Sequence, residues 1–362
     1  MSWIFAASAD EPEANSAIAA VPERLPSGSL VMLVDPSLAF VMPGLPLLHA
    51  AAPGPEPRAL SVVLLDDGRL HLMHRRGDSR GALAVTLADM AEAPAARITY
   101  GWDARTGRHF LSAENLSSGG VALSAAAGAT GLARQDVLDL CIDRRRTFAH
   151  PALLSLAIGT GVATVGQTGG IAAGTPVATP DGPVPVGRIR PGDTVLSGDG
   201  RARRVLAVTV DRSPALGPLR PVRLLAPYFG RKEDIVVDPR QKVLIAGPDV
   251  EYLFECEAVL AEARALADGT TAQRADDDPW AEWHGLVFDE HDTFLADGCR
   301  MDGRFVGRIA ASPDIVARSS LAGLAAADAL PVHAARCHRV LAPWEATALS
   351  EMRRRRRAPV AA

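Results

Sequence analysis

Residues 170–196 read GIAAGTPVATPDGPVPVGRIRPGDTVL, and this stretch decides the fold. Its apolar residues come in short runs, each closed by Pro or Gly. Asp181-Gly182 is a hairpin dipeptide, because Gly takes positive φ without steric cost. Pro191-Gly192 is a tight turn, with Pro fixing φ and Gly supplying φ > 0. Val195-Leu196 and Val205-Leu206-Ala207-Val208 bracket a further turn, Ser197–Arg201. Short strands at this spacing predict an all-β unit.

The pattern continues downstream. Leu219-Arg220-Pro221-Val222-Arg223 and Ile235-Val236-Val237 are strand runs, and Asp238-Pro239-Arg240-Gln241 separates the second from Lys242-Val243-Leu244-Ile245. Ala263-Arg264-Ala265-Leu266, Leu286–Asp292 and Trp344-Glu345-Ala346 follow in order. With Gly174-Thr175-x-Val177-x-Thr179 and Ile189-x-Pro191-Gly192-Asp193-x-Val195, these pieces resemble Hint domains. That is the hedgehog/intein autoprocessing module, and the likeness is to its bacterial stand-alone branch. The resemblance spans about residues 170–350 and implies a horseshoe-like, pseudo-twofold all-β disk.

It also implies a chemistry: a nucleophile at the first Hint residue attacks the preceding carbonyl, and a Thr/Ser-x-x-His element polarises the scissile amide and protonates the leaving nitrogen. The family's Cys falls on Gly170, its Ser/Thr on Asp238 and its His on Gln241. A register shift of one puts Lys242 at the His position instead. None of these residue types performs the step required of it. The implied scissile bond is Gly169–Gly170. Thr168, Thr175 and His291 are candidate substitutes, with His291 matching a family histidine; His284 lies in the same region. The sequence therefore predicts a degenerate, non-cleaving Hint protein with a binding or assembly role. An active self-cleaving protein is the alternative.

Composition bounds the rest. The chain of 362 residues predicts two domains, and 48% hydrophobic residues supply a core. A net charge of −4 argues against a nucleic-acid binder, and only Lys232 and Lys242 among the 38 basic residues are lysines. Cys141, Cys256, Cys299 and Cys337 form no C-x-x-C pair, so they read as buried thiols rather than a zinc site or a disulfide framework. There is no G-x-G-x-x-G, Walker loop or His-Glu-x-x-His, so no cofactor or metal is expected. Met1–Ala20 lacks a basic n-region followed by an apolar h-region, and the apolar run Pro151–Gly161 is shorter than a membrane span. The expectation is a soluble chain, cytoplasmic or exported without a signal.

Residues 1–160 carry β signals of their own. Ser29–Val34, Ala39–Met42, Ala59–Leu65, Arg69–His74, Ala96–Trp102 and His109–Ala113 read as short strands, the third and fourth joined by Asp66-Asp67-Gly68. His71 and His74 fall on opposite faces of their strand, which excludes them as a ligand pair and makes both solvent-facing or half-buried. Ile98-Thr99-Tyr100-x-Trp102-Asp103 resembles concanavalin-like sandwiches, which implies a β-sandwich and, as a further alternative, a glycan-binding module. The predicted organisation is thus a sandwich-like domain (1–160), a Gly-rich linker (161–169, within the small-residue stretch Ser155–Gly170), a Hint domain (170–312) and a helical extension (313–362). In the extension, Asp314 caps a helix over Ile315–Leu330 and a second helix runs Pro343–Met352. Arg353–Arg357 is a frayed basic tail able to contact acidic surfaces. The partner is an unidentified protein or glycan.

Overall fold

Strand Arg69–Arg76 sets the logic of the first unit. Leu70, Leu72 and His74 are buried while Arg69, Met73 and Arg75 face out, the period of two that a half-buried strand demands. The computed structural model describes residues 2–8, 21–141, 146–275 and 278–357, so part of Met1–Ala20 and the last five residues lie outside the described residues. It divides into two compact units, residues 1–166 with 216–218 and residues 167–215 with 219–362.

The first unit has two antiparallel sheets. One runs Trp3–Ser8, Leu153–Gly159, Ser27–Val34, Ala96–Asp103, Arg108–Asn115, Val121–Ala127. The other runs Thr147–Ala149, Pro46–Ala52, Arg58–Leu64, Arg69–Arg76, Ser79–Thr86. One apolar core joins them, with Leu30, Ile98 and Trp102 from the first sheet and Leu48, Val62 and Leu72 from the second. This is a β-sandwich. The Trp102 indole N–H donates to the Leu25 carbonyl at 2.9 Å, so its polar edge is satisfied inside the core.

Three local readings change. Ala39–Met42 is not a strand: Pro36–Val41 is a helix, because the Asp35 side chain accepts from the Leu38 N–H and Pro36 sits in the first turn. Ser155–Gly159 belongs to strand Leu153–Gly159, paired on both sides by Trp3–Ser8 and Ser27–Val34; its small residues serve close packing, not flexibility. His74 is buried rather than half-exposed.

The second unit also has two principal sheets. One runs Ala207–Pro214, Trp280–Val287, Ile171–Ala172, Ile235–Val237, Val222–Leu224, Ala272–Arg274. The other runs Gly182–Pro185, Pro176–Thr179, Thr293–Ala296, Cys299–Asp302, Lys242–Ala246, Ala258–Glu262, Arg339–Val340. The chain is thus mainly β in both units. The Thr179↔Gly182 register places Pro180-Asp181, not Asp181-Gly182, at the hairpin tip, with Gly182 at φ 115°. The Arg190–Asp193 turn forms as expected: Gly192 has φ 97° and the Asp193 N–H donates to the Arg190 carbonyl at 3.1 Å. Sequence reading missed the helix Pro248–Phe254.

The extension is broken rather than continuous. Pro313–Val316 and Ala322–Ala326 are separate short helices. Between them Ser319 Oγ donates to the Val316 carbonyl and accepts from the Leu321 N–H, a local bond that competes with the helix. Asp314 is a first-turn residue behind N-cap Ser312. The last helix runs Pro343–Arg357 and absorbs the basic run. Arg353 is not frayed: it holds Asp249 at 2.5 Å and lowers that carboxyl's pKa. No described helix is long and apolar enough to cross a membrane.

Candidate functional site

Gly170 lies at the head of strand Ile171–Ala172, which is paired between Ile235–Val237 and Trp280–Val287. Its carbonyl accepts the Asp238 N–H at 2.9 Å. A β-carbon here would stand 2.9 Å from the His284 carbonyl oxygen and from Trp283 Cβ. Gly170 therefore lacks a nucleophile and also lacks room for one. Gly169 is at φ 108°, where a β-carbon would lie 2.9 Å from the Gln241 backbone. Both sides of the expected scissile bond are closed against backbone, which cannot swing away as a side chain can.

The Asp238–Gln241 segment faces this strand as a turn, its Gln241 N–H donating to the Asp238 carbonyl at 2.9 Å. Asp238 accepts from Arg240 three times: from the amide at 2.7 Å, Nε at 3.0 Å and the terminal guanidinium at 2.8 Å. Both side chains are buried, and the guanidinium also donates to the Gln167 carbonyl at 2.8 Å. The Gln241 amide nitrogen donates to the carbonyls of Lys242 and Asp302, each at 3.0 Å. The three positions that the resemblance implies, Gly170, Asp238 and Gln241, are therefore brought together, with the Asp238 and Gln241 side chains bonded to other groups of the protein. Lys242 is ion-paired with Glu262 at 3.8 Å, and burial lowers its ammonium pKa.

The candidate substitutes are dispersed. The Thr175 backbone closes a turn, its N–H on the Ala172 carbonyl and its carbonyl on the Val186 N–H. Thr168 is half-buried beside Gly169. His284 bonds Glu282 through Nε2 at 3.1 Å. His291 lies elsewhere, with Nε2 3.1 Å from Asp302 Oδ1 and Nδ1 accepting the Cys337 amide at 3.1 Å. Sequence reading named His291, set Cys337 aside as a buried thiol rather than a ligand, and missed Asp302. Forty-six positions separate Cys337 from His291, and no spacing rule joins them. Cys337 also departs from the buried-thiol expectation, being exposed; Cys299 meets it, and Cys141 and Cys256 are intermediate.

Gly170 thus heads a central strand faced by the Asp238–Gln241 turn, in a unit of two sheets that are antiparallel except where Ala258–Glu262 pairs with Arg339–Val340. Residues 170–308 match the Hint domain family, and this part of the chain is a Hint domain. Solved structures similar to the chain include the MchDnaB-1 intein (19% identity, 37% of this chain and 99% of that one, TM-score 0.25). The gp41-1 intein is similar too (16%, 38% and 100%, 0.26). So is the Ruminococcus gnavus IT-sialidase CBM40 bound to alpha2,6 sialyllactose (13%, 44% and 88%, 0.30). No curated protein matches the chain.

Proposed function

We propose that the Hint domain of this chain is a non-cleaving scaffold and that the protein acts in binding or assembly. The observation that carries this is Gly170: no side-chain nucleophile, and backbone 2.9 Å from where a β-carbon would be. Acyl shift needs a side-chain nucleophile with an activating base, and Gln241 neither takes nor gives a proton near neutral pH. The test is the intact mass of full-length protein before and after incubation with dithiothreitol or hydroxylamine, which trap a thioester or ester. A single unchanged mass is expected. A fragment starting at Gly170 overturns the proposal.

For the binding role, the sandwich offers a hollow of about 520 Å³, lined by Phe5, Ser8, Phe148, His150, Ser155 and others. Its size and mixed apolar and hydroxyl lining suit a small ligand such as a glycan. Glycan-array binding by the full chain, lost in Phe148→Ala, is the expected result. No binding on the array shifts the role to protein assembly.

A further inference from the structure

His291, Asp302 and Cys337 come from three separate segments: the loop before strand Thr293–Ala296, the end of strand Cys299–Asp302 and the loop before Arg339–Val340. One ligand atom from each lies within 4.8 Å of the other two. The His291 and Asp302 side chains are 2% and 6% exposed. His291 Nε2 and Asp302 Oδ1 are both fully buried, 3.1 Å apart, and neither has a hydrogen-bond partner. The pair is an ion contact without hydrogen-bond geometry, so part of the desolvation cost stays uncompensated, and a cation held by both atoms would compensate it.

We infer that His291, Asp302 and Cys337 form a site for a divalent cation of the zinc class, with one position left open. Thiolate, imidazole and carboxylate are the donors a borderline-soft tetrahedral ion takes. Bonds of about 2.0–2.3 Å space such ligands by about 3.3–3.8 Å. Nε2 and Oδ1 already stand at 3.1 Å, and Cys337 offers a ligand atom within 4.8 Å of those of the other two residues. Around the ligands the support is built. Arg336 holds the other Asp302 oxygen at 2.7 Å while its guanidinium stacks 4.3 Å over Phe305, which leaves Oδ1 turned to the imidazole. Phe305 and His333 flank the His291 ring.

His291 Nδ1 accepts the Cys337 amide, so the neutral ring carries its proton on Nε2. On loading, that proton moves to Nδ1 at the expense of the amide bond, Nε2 binds the ion, and the thiol proton leaves to solvent. Partial burial of the thiol, with the carboxylates of Asp302 and Asp292 beside it, pushes it up to about 12. The same carboxylates favour a cation, which removes that proton outright.

The test uses full-length protein purified metal-free and titrated with Co²⁺, then Zn²⁺. The expected result is one equivalent of Co²⁺ with a thiolate-to-cobalt charge-transfer band, displaced by Zn²⁺. Cys337→Ser should abolish the band, and His291→Gln should weaken Co²⁺ affinity at least tenfold. Cys256→Ser should leave both unchanged. A circular-dichroism melt of metal-free Cys337→Ser checks that the variant folds; if it does not, Cys337→Ala and protection of Cys337 from iodoacetamide by Zn²⁺ give the same reading. No binding, binding without the band, or a band that survives in Cys337→Ser overturns the inference.

Discussion

Both units bury an arginine against a carboxylate, and the two pairs do different work. In the sandwich, Arg97 and Glu114 are cross-strand neighbours on Ala96–Asp103 and Arg108–Asn115, and the guanidinium reaches both Glu114 oxygens at 2.7 Å. Glu114 also accepts the Gly166 N–H at 2.8 Å. This pair locks a register. In the Hint domain, Asp238 and Arg240 are two residues apart in one turn, and they occupy the ground where the family's resemblance implies catalysis. The difference teaches that a buried ion pair is not by itself a sign of function. Here the pair at the ground that the resemblance marks as reactive has the bonding of a structural one.

The sharpest way to break that equivalence is to orphan one carboxylate in each unit. Arg97→Met leaves Glu114 buried without its cation, and Arg240→Met does the same to Asp238. Each is expected to cost about 3–5 kcal/mol in urea unfolding, and replacing both partners with apolar residues should recover much of it. If Arg240→Met costs under about 1 kcal/mol while Arg97→Met costs the full amount, Asp238 is not held as Glu114 is, and the structural reading of the turn fails.

A second contrast lies in the histidines. His74 bonds the Tyr100 hydroxyl and Thr130 Oγ1, each at 3.2 Å, deep in the sandwich. Burial lowers its pKa from 6.5 to about 4. The unfolded chain therefore binds the proton more readily, so the stabilisation is full above pH 6.5 and is lost as pH falls towards 4. The expected loss between pH 7 and pH 4 is about 3 kcal/mol. His74→Gln should flatten that part of the profile. A profile unchanged by the substitution shows that His74 is not the group responsible.

Much of this was legible beforehand for a physical reason. Turn residues and period-two burial are local, so Pro191-Gly192 and the Arg69–Arg76 strand could be read directly. That Gly170, Asp238 and Gln241 stand where the resemblance implies Cys, Ser/Thr and His was equally plain. What could not be read was long-range: the approach of Trp283 and His284 to Gly170, and the meeting of His291 with Asp302 and Cys337. Local hydrogen bonding misled where it competed with a pattern, as when Asp35 turned Pro36–Val41 into a helix and Ser319 broke the extension.

Restoring the nucleophile tests the crowding directly. Gly170→Cys is expected to lose about 1–3 kcal/mol, because the added β-carbon meets backbone rather than a yielding side chain. Its intact mass should stay single. A stable variant that releases a fragment at this bond shows that the strand retains the family's geometry and that only the residue was lost.

The smallest effect is the most discriminating. Gln241→His returns the family's residue type, but the native amide nitrogen serves two carbonyls, those of Lys242 and Asp302. A neutral imidazole has one N–H. One carbonyl loses its donor, and about 1 kcal/mol of stability should go with it. Cleavage should remain absent, because the nucleophile position is still Gly170. Combining the substitution with Gly170→Cys then separates the two losses. If the double variant also keeps a single mass, the obstacle is the packing of the strand against Trp283 and His284 or the Asp238–Arg240 pair that the variant leaves in place. If it cleaves, the obstacle was residue identity alone, and Asp238 and Arg240 occupy a centre that packing has left competent.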